Sequence, residues 1–483
     1  MVTHPGAGTA ARLGLAACMA AGSMWAAPFP TTAQEGGLVG RWTGTLTILG
    51  TDLGFSVEFS RIDEVLSAIM DIPMQGAMSL PLTEVSEDGA TVHFELQAGP
   101  GLAVWEGERD GDVIEGTFTQ GGAAGTFSVS RVGTEAIDDE PAEPLPYREE
   151  ELTFESGEVH LEGTLTLPEA GGPFPAVVML TGSGAQNRDE ELFGFRPFRI
   201  IADYLTRRGV AVYRYDDRGV GASTGNTALS TTSDFADDAL AAIAMLSEHE
   251  EIDAGRVGLV GHSEGGVVAP LAAARSESVA FVVLIAPTSV RGSDVIFEQG
   301  AEIARAAGQT EEQIEESLLV QRRIFAAIEN GEDMEPFQTE LEDIIRDQIA
   351  NAPDEELAMV EDEDEFVKNQ AKQQLTQVTT PWFRYFLTYD PATALRETRV
   401  PVLTLFGELD LQVTPKQNRG PLAEALGSNP DVTIETLPKA NHLFQVAITG
   451  SPSEYATLEK EFVPGFLELI GDWIVSRTGL GGS

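Results

Sequence analysis

Apolar and polar residues alternate along several short segments in the first third of the chain. The clearest segments are residues 41–48, 91–96 and 125–130. Such alternation is typical of β-strands that bury one face. Turn-forming residues at 87–89 and 109–112 separate the segments. The pattern predicts a small β-barrel or β-sandwich over residues 38–132.

From residue 152 onward the pattern changes to short, predominantly apolar segments separated by amphipathic ones. The apolar segments are residues 176–180, 210–215, 257–260, 280–285 and 402–406. Continuous apolar strands that alternate with helices indicate a mostly parallel sheet covered by helices on both faces. A hairpin over residues 152–167 precedes this sheet. We therefore predict an α/β domain over residues 152–478.

Two acidic segments interrupt these patterns. Residues 133–151 carry several prolines and carboxylates, and we interpret them as a linker. Residues 289–390 have a helical pattern and a run of carboxylates at 361–365. An insertion of this length between two core strands is too long for a loop, so we expect a helical lid.

The first 33 residues have the pattern of a signal peptide. Arg12 precedes the apolar residues 13–25, and small residues follow. Residues 15–18 also resemble a lipobox, which would place a lipid on Cys18. Because Cys18 lies close to Arg12 and the apolar run continues past it, we favour export to the periplasm or outside the cell. No later segment is apolar enough to span a membrane.

The amino-acid composition excludes several classes of function. The formal net charge of −47 repels polyanions, so nucleic acid is not an expected partner. The single cysteine, Cys18, excludes an intramolecular disulfide framework and a cysteine-rich zinc site. The glycine-rich residues 182–184 and 219–224 lack the lysine of a phosphate-binding loop. We expect neither a metal nor a cofactor.

Ser263 is the candidate nucleophile. It lies in the sequence Gly-His-Ser-Glu-Gly at 261–265, between a predicted strand and small residues that favour a helix. A sharp strand-to-helix turn exposes a serine hydroxyl for attack, and the glycines give the turn room. The alternative is a glycine-rich turn in which Ser263 only caps the helix.

A serine nucleophile needs a base and an orienting carboxylate, and both follow it in chains that use this turn. That order leaves His442 as the candidate base, because His262 lies inside the turn and the other four histidines precede it. Asp410 follows the last predicted core strand and is the candidate acid. Glu408 is the alternative carboxylate, and a capping or surface role is the alternative for His442.

The negative oxygen formed during attack needs preorganised N–H donors. The backbone N–H of Glu264, directly after Ser263, is one candidate. The second should come from the loop at 181–189, and Ser183 N–H is the first choice. A flexible turn at 182–184 is the alternative.

Residues from about 150 to the end resemble bacterial serine esterases of the α/β-hydrolase superfamily, in the branch related to the prolyl oligopeptidase family. The matching stretches are residues 180–189, 217–223, 261–266, 381–386, 407–413 and 441–445. The resemblance implies ester hydrolysis by Ser263, Asp410 and His442. One departure is Thr181, where many relatives carry histidine. The N-terminal segment resembles a small β-domain found ahead of such enzymes, and no activity follows from that.

These observations together predict a serine carboxylesterase that acts on short- to medium-chain acyl esters of small molecules. The alternative is a serine peptidase of the prolyl oligopeptidase-like aminopeptidase type, because the same three groups cleave amides. The segment before residue 150 is too short for the propeller that gates such peptidases. Aromatic residues at 382–386 either line an acyl pocket or belong to the ordinary core.

Overall fold

The computed structural model describes residues 38–48, 51–62, 65–72, 77–98, 101–120, 123–131, 145–350 and 363–480. The predicted signal peptide, with Cys18, and residues 133–144 of the predicted linker lie outside these ranges. The chain divides into two compact units. One contains the N-terminal β-domain and residues 304–380, and the other contains residues 137–303 and 381–483.

The β-domain is a single antiparallel sheet of nine strands, as the alternating pattern predicts. The strands are β1 (Gly40–Ile48), β2 (Thr51–Ile62), β3 (Val65–Ile72), β4 (Ala77–Pro81), β5 (Glu84–Asp88), β6 (Thr91–Ala98), β7 (Gly101–Asp110), β8 (Val113–Gln120) and β9 (Ala123–Arg131). Their order across the sheet is β4-β3-β2-β1-β9-β8-β7-β6-β5. Every consecutive pair is hydrogen-bonded except β4 and β5, which form the two edges.

The segment between these two edge strands bonds to both sides of the sheet. Leu82 N–H donates to the carbonyl of Ala68 in β3 (2.9 Å), and Thr83 N–H donates to the carbonyl of Glu95 in β6 (2.8 Å). Side chains from distant strands also meet inside, since the rings of Phe59 and Phe94 lie 5.6 Å apart. The sheet therefore curls into a nearly closed barrel around an aromatic core.

The second unit contains an eight-stranded sheet. Its strands are β10 (Tyr147–Ser156), β11 (Val159–Pro168), β12 (Phe174–Leu180), β13 (Ala211–Tyr215), β14 (Ile252–His262), β15 (Val282–Ile285), β16 (Val402–Gly407) and β17 (Val432–Leu437). They lie in the order β10-β11-β13-β12-β14-β15-β16-β17. The last six positions in this order are parallel, and β10 and β11 add an antiparallel hairpin at one edge. β10 begins at Tyr147, so residues 147–151 are strand although the sequence places them in the linker.

Helices follow most of the strands. They are α1 (Pro197–Thr206), α2 (Thr232–Ser247), α3 (Gly265–Arg275), α4 (Gly292–Ala306), α5 (Glu311–Asn330), α6 (Glu335–Ala350), α7 (Glu363–Val378), α8 (Pro381–Thr388), α9 (Ala392–Glu397), α10 (Pro415–Ala425) and α11 (Phe466–Thr478). In β12, Val178 belongs to the cluster that contains α2 and α3, whereas Val177 and Met179 belong to the cluster that contains α1 and α11. Successive strand residues thus face opposite layers, which explains the continuous apolar pattern.

The predicted insertion at 289–390 is helical in its described residues, from α4 to α8. It is divided between the two units, because residues 304–380 belong with the β-domain and α8 belongs with the eight-stranded sheet. Within the described ranges, no helix combines the length and apolarity needed to cross a membrane.

Candidate active site

Ser263 occupies a sharp turn between β14 and α3. Its φ of 51° is in the left-handed region, which is uncommon for a residue with a side chain. A Cβ on Gly261 would lie 2.0 Å from the carbonyl oxygen of Gly265, and one on Gly265 would lie 2.2 Å from that of Leu180. Both positions therefore require glycine. The backbone geometry is the strand-to-helix turn that the sequence predicts.

His442 and Asp410 meet on the loops that follow β17 and β16. Nδ1 of His442 lies 2.8 Å from Oδ2 of Asp410, and both side chains are buried. Oδ1 of Asp410 accepts hydrogen bonds from the backbone N–H groups of Gln412 and Val413, each at 2.8 Å. The carboxylate is thus held in place.

The alternative acid has a different partner. The carboxylate of Glu408 accepts the backbone N–H of Lys439 at 2.9 Å. Of the two carboxylates that the sequence offers, the structure places Asp410 against His442. The loop of His442 is held by Asn441, whose side-chain oxygen accepts N–H groups from Leu443 and Gln445.

The loop after β12 lies beside Ser263. A Cβ on Gly182 would be 3.3 Å from Cβ of Ser263. Asp217 orders this loop by accepting the Thr181 hydroxyl at 2.7 Å and the Gln186 N–H at 2.9 Å. Burial raises the pKa of Asp217 well above its ordinary value, against the opposing effect of these hydrogen bonds. Thr181, where many relatives carry histidine, therefore anchors the loop.

Glu264 connects several of the surrounding elements through its side chain. Its buried carboxylate accepts the Thr232 hydroxyl at 2.6 Å and the Trp382 indole N–H at 3.0 Å. Burial raises the pKa of Glu264, and the side chains of Thr232, Trp382 and Ser183 oppose that rise.

The positions of these donors follow from local sequence. Thr231 begins α2 with a capping box in which its hydroxyl accepts Asp234 N–H and the Asp234 carboxylate accepts Thr231 N–H. This fixes the first turn, which presents Thr232 to Glu264.

Of the aromatic residues at 382–386, Phe383 is fully buried in the core, and Trp382 stacks on Phe386 while donating to Glu264.

One pair of buried residues at the site was not found from the sequence. Glu190 Oε1 lies 2.9 Å from Nδ1 of His262 and accepts the N–H of Gly182 at 2.6 Å. Nε2 of His262 lies 3.0 Å from the carbonyl oxygen of His442. Burial lowers the pKa of His262, but Glu190 and the other partners raise it more, so the net shift is upward. The available signal was the place of His262 at the end of a buried strand, directly before the nucleophile.

Among the described residues, one group brings three potential metal-ligating side chains together. Glu84, His93 and Glu95 have ligand atoms within 4.8 Å of one another on β5 and β6 of the β-domain. None of them belongs to the unit that contains Ser263.

A mostly parallel sheet with a strained serine turn after β14, and with polar loops after β12, β16 and β17, defines an α/β-hydrolase. Residues 196–446, more than half of the chain, match the family model described as serine aminopeptidase, S33. The chain belongs to this family and is a hydrolase. The α/β-hydrolase resemblance found in the sequence is confirmed.

Individual proteins are also similar to this chain. Esterase EstD of Thermotoga maritima is 29% identical over 340 residues, which cover 70% of each protein. Among solved structures, the α/β-hydrolase GrgF from Penicillium sp. is 18% identical, with a TM-score of 0.43 over 69% of this chain and 100% of that one. An esterase of Pyrococcus furiosus is 15% identical, with a TM-score of 0.41 over 69% of this chain and 92% of that one.

Proposed function

We propose that this protein is a serine carboxylesterase that hydrolyses short- to medium-chain acyl esters of small molecules. The observation that carries the proposal is the contact of 2.8 Å between His442 and an Asp410 carboxylate that two backbone N–H groups hold in place. These loops lie at the same edge of the parallel sheet as the turn of Ser263. Similarity to esterase EstD favours an ester as the substrate.

In the proposed reaction, Ser263 Oγ attacks the ester carbonyl carbon while Nε2 of His442 takes the hydroxyl proton. Asp410 accepts the Nδ1–H of His442 and stabilises the imidazolium. His442 then gives its proton to the leaving alcohol, and an acyl group remains on Ser263. Water, deprotonated by His442, attacks the acyl carbon. The bond from that carbon to Ser263 Oγ then breaks, His442 returns its proton to Oγ, and the carboxylic acid leaves.

The tetrahedral oxyanion would be held by the backbone N–H groups of Glu264 and Ser183. The N–H of Glu264 precedes the first residue of α3, where backbone donors have no partner within a helix. In the other loop, the N–H of Gly182 already donates to Glu190. The next donor along the chain is Ser183 N–H, which supports that assignment.

A peptidase is the second candidate, because the family model that the chain matches is described as a serine aminopeptidase. Amide cleavage uses the same groups and differs in the leaving amine, which His442 must protonate before the C–N bond breaks. Export of the protein after removal of residues 1–33 remains a prediction from the sequence.

The test is a comparison of p-nitrophenyl esters, from acetate to palmitate, with aminoacyl and prolyl p-nitroanilides. We expect rapid turnover of the shorter esters and little cleavage of the anilides. Ser263→Ala should abolish turnover, whereas Ser453→Ala, at an exposed serine of the same unit, should not. Comparable cleavage of anilides would make the protein a peptidase, and full activity of Ser263→Ala would exclude Ser263 as nucleophile.

A further inference from the structure

The imidazole of His262 lies between two hydrogen-bond acceptors. Nδ1 faces the Glu190 carboxylate at 2.9 Å, and Nε2 faces the carbonyl oxygen of His442 at 3.0 Å. A neutral imidazole has a single N–H, so it can satisfy only one of these acceptors. Both contacts form together only when the His262–Glu190 pair holds one additional proton. The simplest arrangement is an imidazolium beside a carboxylate.

The charged groups around His262 together favour its protonated form. Glu190, on the loop after β12, and Asp410, on the loop after β16, are the carboxylates that attract a proton to His262. His442, on the loop after β17, is the titratable group on the third element, with its ring centre 4.7 Å away. His442 opposes a charged His262 only when it is itself protonated. The pKa of His262 is raised in these surroundings.

The pair connects two parts of the proposed machinery. Glu190 accepts the N–H of Gly182 at 2.6 Å, and Gly182 directly precedes Ser183. His262 holds the backbone of His442 itself. Glu190 has a φ of 51°, a conformation that a glutamate keeps only where its surroundings enforce it. One shared proton therefore connects the loop of the oxyanion donors to the loop of the catalytic base.

We propose that Glu190 and His262 are positioning residues whose shared proton holds the loop of His442 in register with the loop at 181–189. This inference rests on the proposed function, since it assigns the pair a role in the same reaction. When the proton is lost, either the carboxylate or the carbonyl faces an unprotonated nitrogen, and that contact breaks. The pair thus sets an alkaline limit to activity.

The variant Glu190→Gln tests this role through the pH dependence of kcat and KM. The amide keeps an oxygen for Gly182 N–H but removes the charge that retains the proton on His262. We expect the alkaline limit of kcat to move about 1–3 pH units lower, with KM little changed. The matched control is Glu191→Gln, at a neighbouring buried carboxylate that contacts Arg196 at 2.8 Å. The alkaline limit of kcat in Glu191→Gln should not move.

A uniform loss of activity at every pH in Glu190→Gln, with the limit unmoved, would show a purely structural role and overturn the proposal. A second measurement is independent of turnover. With histidine labelled by ¹⁵N, only six residues contribute signals, and His262→Asn identifies the one that belongs to His262. At about pH 8, where an ordinary histidine is neutral, both ring nitrogens of His262 should carry protons.

A neutral His262 at that pH would overturn the inference even if the protein is an active esterase. Conversely, absence of ester turnover in the wild-type protein would refute the proposed function. The ¹⁵N spectrum would still show whether His262 is protonated. If His262→Asn fails to fold, the spectrum of Glu190→Gln serves instead, because the same signal should lose a proton at lower pH.

Discussion

The β-domain and the eight-stranded sheet differ in what they bury. In the β-domain the inward faces carry aromatic and aliphatic side chains, and Ser56 is the one buried polar residue among the side chains described there. The hydrolase unit also has apolar layers on both faces of its sheet. At the carboxyl ends of its strands, however, it buries several ionisable side chains, among them Glu190, His262, Glu264, Asp410 and His442.

Burying an ionisable group destabilises a fold unless hydrogen bonds and opposite charges compensate. In the hydrolase unit each of these groups has such partners: Glu190 contacts His262, His262 contacts the backbone of His442, and His442 contacts Asp410. From this difference we expect the polar interior of the hydrolase unit to serve the proposed reaction and the interior of the β-domain to serve stability. Substitutions in the two regions should therefore separate activity from stability.

The largest effect is expected for Asp410→Asn. The asparagine oxygen can still accept the N–H groups of Gln412 and Val413, so the loop should keep its shape. The amide cannot stabilise an imidazolium and favours the wrong tautomer of His442. We expect kcat for a p-nitrophenyl ester to fall by about 10⁴-fold, with thermal unfolding little changed.

The control for this prediction is Glu408→Gln, which keeps an acceptor for the Lys439 N–H and should retain activity. If Glu408→Gln were the inactive variant and Asp410→Asn remained active, the acid would be Glu408. Unfolding of Asp410→Asn at ordinary temperature would instead show that Asp410 acts mainly in stability, which would break the distinction between the two regions.

Trp105→Ala in the β-domain should have the opposite effect to Asp410→Asn, because it should lower stability and leave activity unchanged. Trp105 is 1% exposed and packs against Phe94 and Phe118, with ring centres 5.2 and 4.8 Å away. Removing it should lower the free energy of unfolding by about 3–5 kcal/mol, because a large cavity remains. The kcat of the folded protein should not change. Urea unfolding of the full chain, with ester turnover measured below the transition, tests both statements.

The matched control is Trp105→Phe. The indole N–H of Trp105 has no hydrogen-bond partner among the described residues, so its removal relieves an unsatisfied donor. We expect this variant to recover more than half of the stability that Trp105→Ala loses. A fall in kcat without a loss of stability in either variant would assign the β-domain a part in the reaction.

Local sequence patterns explain which parts of the fold the sequence could predict. Alternating residues in β6 and continuous apolar residues in β12 are local patterns, and they predict both sheets. The sequence places part of strand β10 in the linker, because residues 148–151 are all charged and show no alternation. It is an edge strand, and an edge strand exposes more of its surface than a central one.

At the site, Ser263 and His442 could be nominated because the turn has a local signature and chain order left one histidine. Asp410 could be preferred to Glu408 from its position in the loop, but only the fold of the loop shows which one meets His442. The contact between Glu190 and His262 joins residues that are far apart in sequence, and no periodicity encodes such a pair. The same holds for Trp382 and Glu264.

The smallest effect is expected for Trp382→Phe. The substitution keeps an aromatic ring against Phe386 and removes the N–H that donates to both carboxylate oxygens of Glu264. A carboxylate that loses one of its donors in a buried position takes up a proton more readily, so the pKa of Glu264 should rise further. The Glu264 side chain, and with it the backbone N–H beside Ser263, is then less firmly held.

We expect kcat to fall about tenfold, equivalent to about 1.4 kcal/mol, with a smaller change in KM. The control is Phe386→Leu, which removes the stacked ring but leaves the indole donor in place, and which should lower kcat less. Equal losses in the two variants would mean that packing around α8, rather than the hydrogen bond to Glu264, positions the turn. The polar interior of the hydrolase unit would then depend on apolar contacts of the kind that the β-domain uses, and the contrast between the two regions would be weaker at this point.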